Sequence, residues 1–343
     1  MSYKSEDSTL SKLLTLEDHV VIGTKQIHPL AYEINQKTEQ ICREFGIYYG
    51  TEDLFRERNY MMTYALPGGD PERLITLNIY NHVLWYIDDM YDRNQLNMAE
   101  HKAQLKQLYQ NCCEIILTGK YPQEQHILYD VCMELYNRFQ KQPAHPSWLP
   151  MFVDYTTAHL QSTTKGYEAL LVDGKPSVER YIALREHDSG MYPTIYYVPF
   201  VYELNLSTDE IEAFKTINQL TAQVGSLSND IFSYEKEVLR FGSKFNLIAV
   251  IQAAYNLSEE EAISEAIKIV NEKSRAFEAE YAALLAQPNL TPDQRLYIKG
   301  LHDICAATYY WQVSINRYRS INSPHPMLRQ LLPVDELLTV NPV

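Results

Sequence analysis

Apolar residues return at three- and four-residue spacing along nearly the whole chain. After Ser258, the positions Ile263, Ala266, Ile267, Val270, Phe277, Tyr281 and Leu284 keep to one face of a single long helix. After Pro71, Leu77, Tyr80, Leu84 and Ile87 form another core-facing stripe. Three start signals stand out: Ser207-x-x-Glu210, Ser258-x-x-Glu261 and Thr291-Pro292-x-Gln294, each a reciprocal cap for the first turn of a helix. They also account for the Ser and Thr of three N-x-S/T triplets at Asn205, Asn256 and Asn289 without invoking glycosylation. Breakers fall at Pro67-Gly68-Gly69, Gly119 to Pro122, Pro143 to Pro146, Gly174-Lys175-Pro176 and Gly242. No segment alternates convincingly with the period of a strand. The pattern predicts an all-α fold of about 11–12 helices. Residues 1–25 read as a mobile N-terminal tail and 26–343 as a single domain, since no linker or repeat divides the chain.

Composition narrows the function. With 30 Lys and Arg against 44 Asp and Glu, the net charge of −14 and the lack of any basic run exclude a nucleic-acid partner. Only 12 glycines occur in 343 residues, which disfavours turn-dense β folds and Gly-rich nucleotide folds. The cysteines, Cys42, Cys112, Cys113, Cys132 and Cys305, are odd in number and show no C-x-x-C. They read as buried thiols in a reducing compartment. With no signal-peptide core and no membrane-length apolar run, the chain is expected to be soluble and cytoplasmic, without stable membrane anchoring.

Two acidic and polar clusters break local rules. Asp88, Asp89 and Asp92 crowd the end of an apolar helix, where like charges at i,i+4 repel and anions oppose the helix dipole. Either this is a solvated acidic end, or Asp88 and Asp92 share a divalent cation. Further on, Asn229, Ser233 and Glu237 lie at i, i+4 and i+8, so that three oxygen donors line one helix face. An exposed polar face would give the same pattern, but three donors in register suit a hard cation better.

Together the clusters resemble the class I terpene synthases of microbial type, namely their aspartate-rich motif and their N-D-x-x-S-x-x-x-E triad. Two further marks are similar to that family. Arg185, upstream of the triad, is followed by Asp188 and Ser189-Gly190, like a diphosphate-sensing arginine with its linker and helix-break effector. Near the C-terminus Trp311 precedes Arg317-Tyr318, like the family's terminal Arg-Tyr pair and aromatic. The marks span residues 85 to 318. Asp188 stands where relatives also carry Ser or Thr. The D-x-D-D motif of protonation-initiated cyclases is absent.

The resemblance implies an isoprenoid-synthase-type helical bundle around a central cavity, acting as a carbon–oxygen lyase. A prenyl diphosphate, farnesyl first and geranylgeranyl next, would be ionised and cyclised to a hydrocarbon or alcohol. It implies three Mg²⁺ ions, two on the Asp88/Asp92 side and a third on Asn229, Ser233 and Glu237. Arg185, Lys236, Arg317 and Tyr318 would bind the diphosphate, and Asp89 would pair with Arg317 on closure. Trp311 and Trp85 are the first candidates to face the carbocation; Tyr196, Tyr197 and Phe200 rank behind them, with core packing the stronger reading. Trp148, in a Pro-rich stretch, reads as peripheral. A homodimer is compatible with this reading. A chain-elongating synthase would carry a second aspartate-rich motif where Asn229, Ser233 and Glu237 stand, and a non-catalytic scaffold would have lost these ligands.

Overall fold

The computed structural model describes residues 14–48, 52–93, 98–162 and 167–330, and for 16, 52–54, 88–93 and 98–102 only the helical path. The described elements are α1 (Ala31–Glu44), α2 (Glu52–Ala65), α3 (Pro71–Arg93), α4 (Met98–Thr118), α5 (Ile127–Lys141) and α6 (Trp148–Ser162). Then follow a small ribbon, β1 (Leu171–Val172) and β2 (Lys175–Pro176), and α7 (Val178–Asp188). Three short helices come next, α8 (Met191–Ile195), α9 (Tyr197–Val201) and α10 (Thr208–Glu212). The last four described α-helices are α11 (Lys215–Tyr234), α12 (Leu247–Tyr255), α13 (Glu259–Leu285) and α14 (Pro292–Ser314). The all-α expectation is met.

All three reciprocal caps form: Ser207, Ser258 and Thr291 each accept the N–H three residues on, and Glu210, Glu261 and Gln294 reach back. The antiparallel ribbon was not anticipated. Its turn is Asp173-Gly174, both with positive φ (49° and 79°), which matches the twist of a tight hairpin.

α11 is the axis of the bundle. It packs against α7, α8, α12, α13 and α14, and nearly every side chain from Thr221 to Tyr234 is buried, polar ones included. A helix buried all round has no outward face to spend on solubility, so its polar residues must bond internally or serve another purpose.

Two expectations are corrected. Residues 14–25 are not a free tail: Leu14 and Ile22 are buried. Leu14 N–H bonds Pro324 O at 2.9 Å, and Val20 N–H bonds the Asn271 side chain at 2.7 Å. Trp148 is not peripheral either. It opens α6 and is 2% exposed. Its ring stacks on Phe152 and Phe200 at 5.0 and 4.6 Å, and its indole N–H bonds Tyr196 O at 2.8 Å. The same core holds Tyr196, Tyr197 and Phe200, all within 1% of full burial. The five cysteines are free and buried, as expected.

Candidate active site

The C-terminal half of α11 meets α7 on one side and the end of α14 on the other. Ser177 starts α7 by accepting the Arg180 N–H, which sets Tyr181 and Arg185 one turn apart facing α11. Arg185 donates through Nε to Asp230 Oδ1 (2.9 Å) and through Nη2 to Asn229 Oδ1 (3.2 Å). Its Nη1 lies 3.6 Å from Asp188 Oδ2, so the proposed linker residue does touch the proposed sensor.

Asn229 donates its amide N–H groups to Gln312 Oε1 (3.0 Å) and Tyr318 Oη (2.9 Å). Burial raises the Tyr318 pKa, so its hydroxyl stays protonated and able to donate. Ser233, one turn along, is 2% exposed, and its Oγ has no hydrogen-bond partner. Glu237 is half-buried and accepts from Asn246 Nδ2 at 3.2 Å.

The triad does not run on one unbroken α-helix. α11 ends at Tyr234 and the chain continues as a π-helical turn, Glu235–Arg240. In an ideal α-helix, residue i+8 has drifted about 80° from i. The wider turn takes fewer degrees per residue and swings Glu237 back toward Ser233. Such turns are often found at functional sites. Lys236 sits half-buried in the same turn.

Helix α7 stops where Ser189-Gly190 predicts. Ser189 caps it, and Gly190 adopts φ +74° before α8 begins. The Gly190 carbonyl is engaged by the Thr194 N–H and hydroxyl (3.3 and 3.0 Å). Pro193, four residues after Ser189, has no N–H to give the Ser189 carbonyl.

At the other end, Trp311 is buried, its ring nearly perpendicular to that of Tyr318 with centres 5.7 Å apart and its indole N–H on Glu57 O (2.9 Å). The Glu57 carboxylate accepts the N–H groups of Asn316 and Arg317 at 2.9 and 3.0 Å, fixing the turn that presents the Arg-Tyr pair. The Arg317 guanidinium lies 5.9 Å from the Tyr318 ring centre. Trp85 is half-buried, edge-on to His82 at 5.3 Å, with the Arg58 guanidinium 5.2 Å over its ring. Asp88, Asp89 and Asp92 stand on α3, but their side chains, and so the Asp89–Arg317 pairing, lie outside the described residues.

Four contributors escaped the sequence reading: Glu57, Asp230, Asn246 and Gln312. Asp230 is wholly buried and accepts from Tyr181 Oη (2.6 Å), Arg185 Nε and Leu247 N (3.2 Å). Burial raises its pKa above the ordinary range, with Arg185 opposing. Its place beside Asn229 in the motif was the available signal; the other three carry none.

Comparison with known proteins identifies the family. The family model "Terpene synthase family 2, C-terminal metal binding" matches residues 80–276. Terpene synthase 4 of Physarum polycephalum is 24% identical over 301 residues, 83% of this chain and 86% of that protein. A sesquiterpene synthase of Cyclocybe aegerita is 26% identical over 146 residues, 42% of each chain. The crystal structure of aristolochene synthase from Penicillium roqueforti superposes with a TM-score of 0.68 at 17% identity, covering 88% of this chain and 98% of that one. The chain belongs to terpene synthase family 2, and is a metal-dependent lyase acting on a prenyl diphosphate.

Proposed function

We propose that this protein uses Mg²⁺ to ionise farnesyl diphosphate and closes the resulting allylic cation into a cyclic terpene. The observation that carries the reading is the bare Ser233 hydroxyl, buried and unbonded beside the Asn229 amide. A buried polar atom without a partner costs about 1–3 kcal/mol, and a cation held by Asn229, Ser233 and Glu237 would remove that cost. These are hard oxygen donors of the type magnesium takes. Asp88 and Asp92 would hold a further pair of ions, three in all.

When bound, magnesium neutralises charge on the departing diphosphate. The protein's own groups do the rest. Arg185, Lys236, Arg317 and Tyr318 donate to diphosphate oxygens, with the charged donors forming the stronger bonds. Asp89 pairs with Arg317 as the site shuts out water. Asp188 steadies Arg185, and the break at Ser189-Gly190 presents the Ser189 carbonyl to the cation. Trp311 offers an aromatic edge of the cavity, and Trp85 a ring that Arg58 already covers on one face.

The Cyclocybe relative's name supports a C15 substrate, with geranylgeranyl diphosphate the alternative. The main apolar core runs from Ile22 to Leu328, which supports one domain. No described helix is long and apolar enough to cross a membrane, and five buried free thiols suit a cytoplasmic setting. An antiparallel homodimer is compatible with these features.

The test is incubation of the purified protein with Mg²⁺ and geranyl, farnesyl or geranylgeranyl diphosphate, read by gas chromatography–mass spectrometry. A cyclic product from farnesyl diphosphate is expected. Longer linear diphosphates formed only with added isopentenyl diphosphate would overturn the reading.

A further inference from the structure

The side chains around Asn229 form a hydrogen-bonded chain whose two ends have fixed polarity. At one end is the Thr308 carbonyl, which can only accept. It takes a hydrogen bond from the Gln312 amide nitrogen. Gln312, 1% exposed, must therefore turn its oxygen the other way, toward Asn229 Nδ2 at 3.0 Å. Asn229 must then turn its own oxygen outward. There it meets the other end, the Arg185 guanidinium, which can only donate, at 3.2 Å. An amide's nitrogen and oxygen are nearly alike in shape, so only such partners decide which end faces a site.

We infer that Gln312 is a positioning residue for the metal triad: it holds the Asn229 amide with oxygen, and not N–H, toward the cation. This rests on the reading of Asn229 as a ligand. An inverted amide would aim two N–H donors at the ion and lose it. Tyr318 cannot enforce the orientation, because a hydroxyl both donates and accepts and would adjust to either face. Gln312 can, because turning it over would set its oxygen against the Thr308 carbonyl. The Asn229 oxygen has two lone pairs, so Arg185 and a cation present it with the same electrostatic demand, and the chain of polarity need not rearrange when the ion arrives.

The experiment is a calorimetric Mg²⁺ titration of the full-length protein with inorganic diphosphate, alongside thermal unfolding. Gln312→Met keeps volume and removes the amide. It is expected to weaken Mg²⁺ binding by about 10- to 100-fold, the usual effect of losing a group that orients a metal ligand. In the Asn229→Asp background the same change should cost less than about twofold, since a carboxylate's two oxygens are equivalent and need no orienting. A purely structural Gln312 would cost the same in both backgrounds, and that result, or a native-background loss under about twofold, overturns the inference. Gln312→Leu, which leaves no polar atom to set against the Thr308 carbonyl, is the second check; it should lose about as much as Gln312→Met, and a native-like titration counts against the inference. Asn229→Ala separates the two levels of the claim. If it leaves the Mg²⁺ titration unchanged, the ligand reading fails and Gln312 falls with it. If it weakens binding while Gln312→Met does not, the ligand stands and only the positioning inference is lost.

Discussion

Asp230 and Ser233 stand less than one turn apart on α11 and are almost equally buried, at 0% and 2% exposed. Asp230 accepts from a tyrosine hydroxyl, a guanidinium and a backbone N–H, and its own carbonyl is bonded by Asn246 at 2.9 Å. Ser233 Oγ has nothing. Both are small polar residues inside a helix buried almost all round, so composition and burial cannot account for the difference. What separates them is the purpose of the polar atom. A fully bonded one joins α7, α11 and α12. A bare one is tolerated only where another demand outweighs its cost, and in the proposed function that demand is a cation.

The sharpest way to break this comparison is to remove Asp230. Asp230→Ala strands the buried Arg185 charge and the Tyr181 hydroxyl together, and breaking a buried pair in this way costs about 3–5 kcal/mol. Chemical denaturation should show that loss in metal-free protein. An unfolding midpoint equal to the native one would mean that Asp230 is not a structural anchor.

Ser233→Ala should do the reverse. Stability in metal-free buffer is expected to stay within about 0.5 kcal/mol of native, or to rise, because an unsatisfied hydroxyl has been removed. Turnover at fixed low Mg²⁺ should fall at least 10-fold, on the scale of about 10- to 100-fold seen when groups supporting a bound metal are lost. Unaltered turnover combined with lowered stability would invert the comparison and make Ser233 part of the core.

Much of this contrast was legible in the sequence and some was not, for a physical reason. Caps and helix breaks are local: Ser207, Ser258, Thr291 and Gly190 act on neighbours within four residues, and each does in the structure what its surroundings imply. The spacing of Asn229, Ser233 and Glu237 is likewise local, although the π-helical turn that realigns Glu237 leaves no pattern. Partners brought from afar are invisible to such reasoning. Gln312 is 83 residues from Asn229 and Glu57 is 260 from Arg317. Trp148 looked peripheral because prolines flank it; Phe139 from α5, and Phe200 and the Tyr196 carbonyl from the α8–α9 region, are partners from afar that help make it core.

Gly190 offers a smaller effect that tests the other wall of the site. Its added Cβ would meet His159 only at ordinary contact distance, 3.5 Å, so space is not the obstacle. The φ of +74° is. Holding a non-glycine residue there costs about 1–2 kcal/mol, and Gly190→Ala is expected to relieve that by continuing α7 and moving the Ser189 carbonyl. The product pattern read by gas chromatography–mass spectrometry should shift. Unchanged products at full turnover would show that the break does not guide the cation.

His325 stands between the two extremes, and its effect is nil at neutral pH. One ring nitrogen shares a 2.8 Å hydrogen bond with His19, the other is buried without a partner, and the ring stacks on Phe232 of α11. Burial lowers both imidazoles, His19 to about 4 and His325 to about 3. The unfolded chain would protonate both near pH 6.5, so below that it binds protons the folded protein refuses. Stability should therefore be intact above pH 6.5 and fall as pH drops from about 6.5 toward about 4. His325→Phe keeps the stacked ring and removes one such group. Its denaturation midpoint should lie near native at pH 7.5 and drop less steeply between pH 6.5 and 4.5. Parallel decline of the two proteins would mean that the junction of the N- and C-terminal segments behind α11 tolerates charge, and that a half-satisfied ring there is held by packing alone.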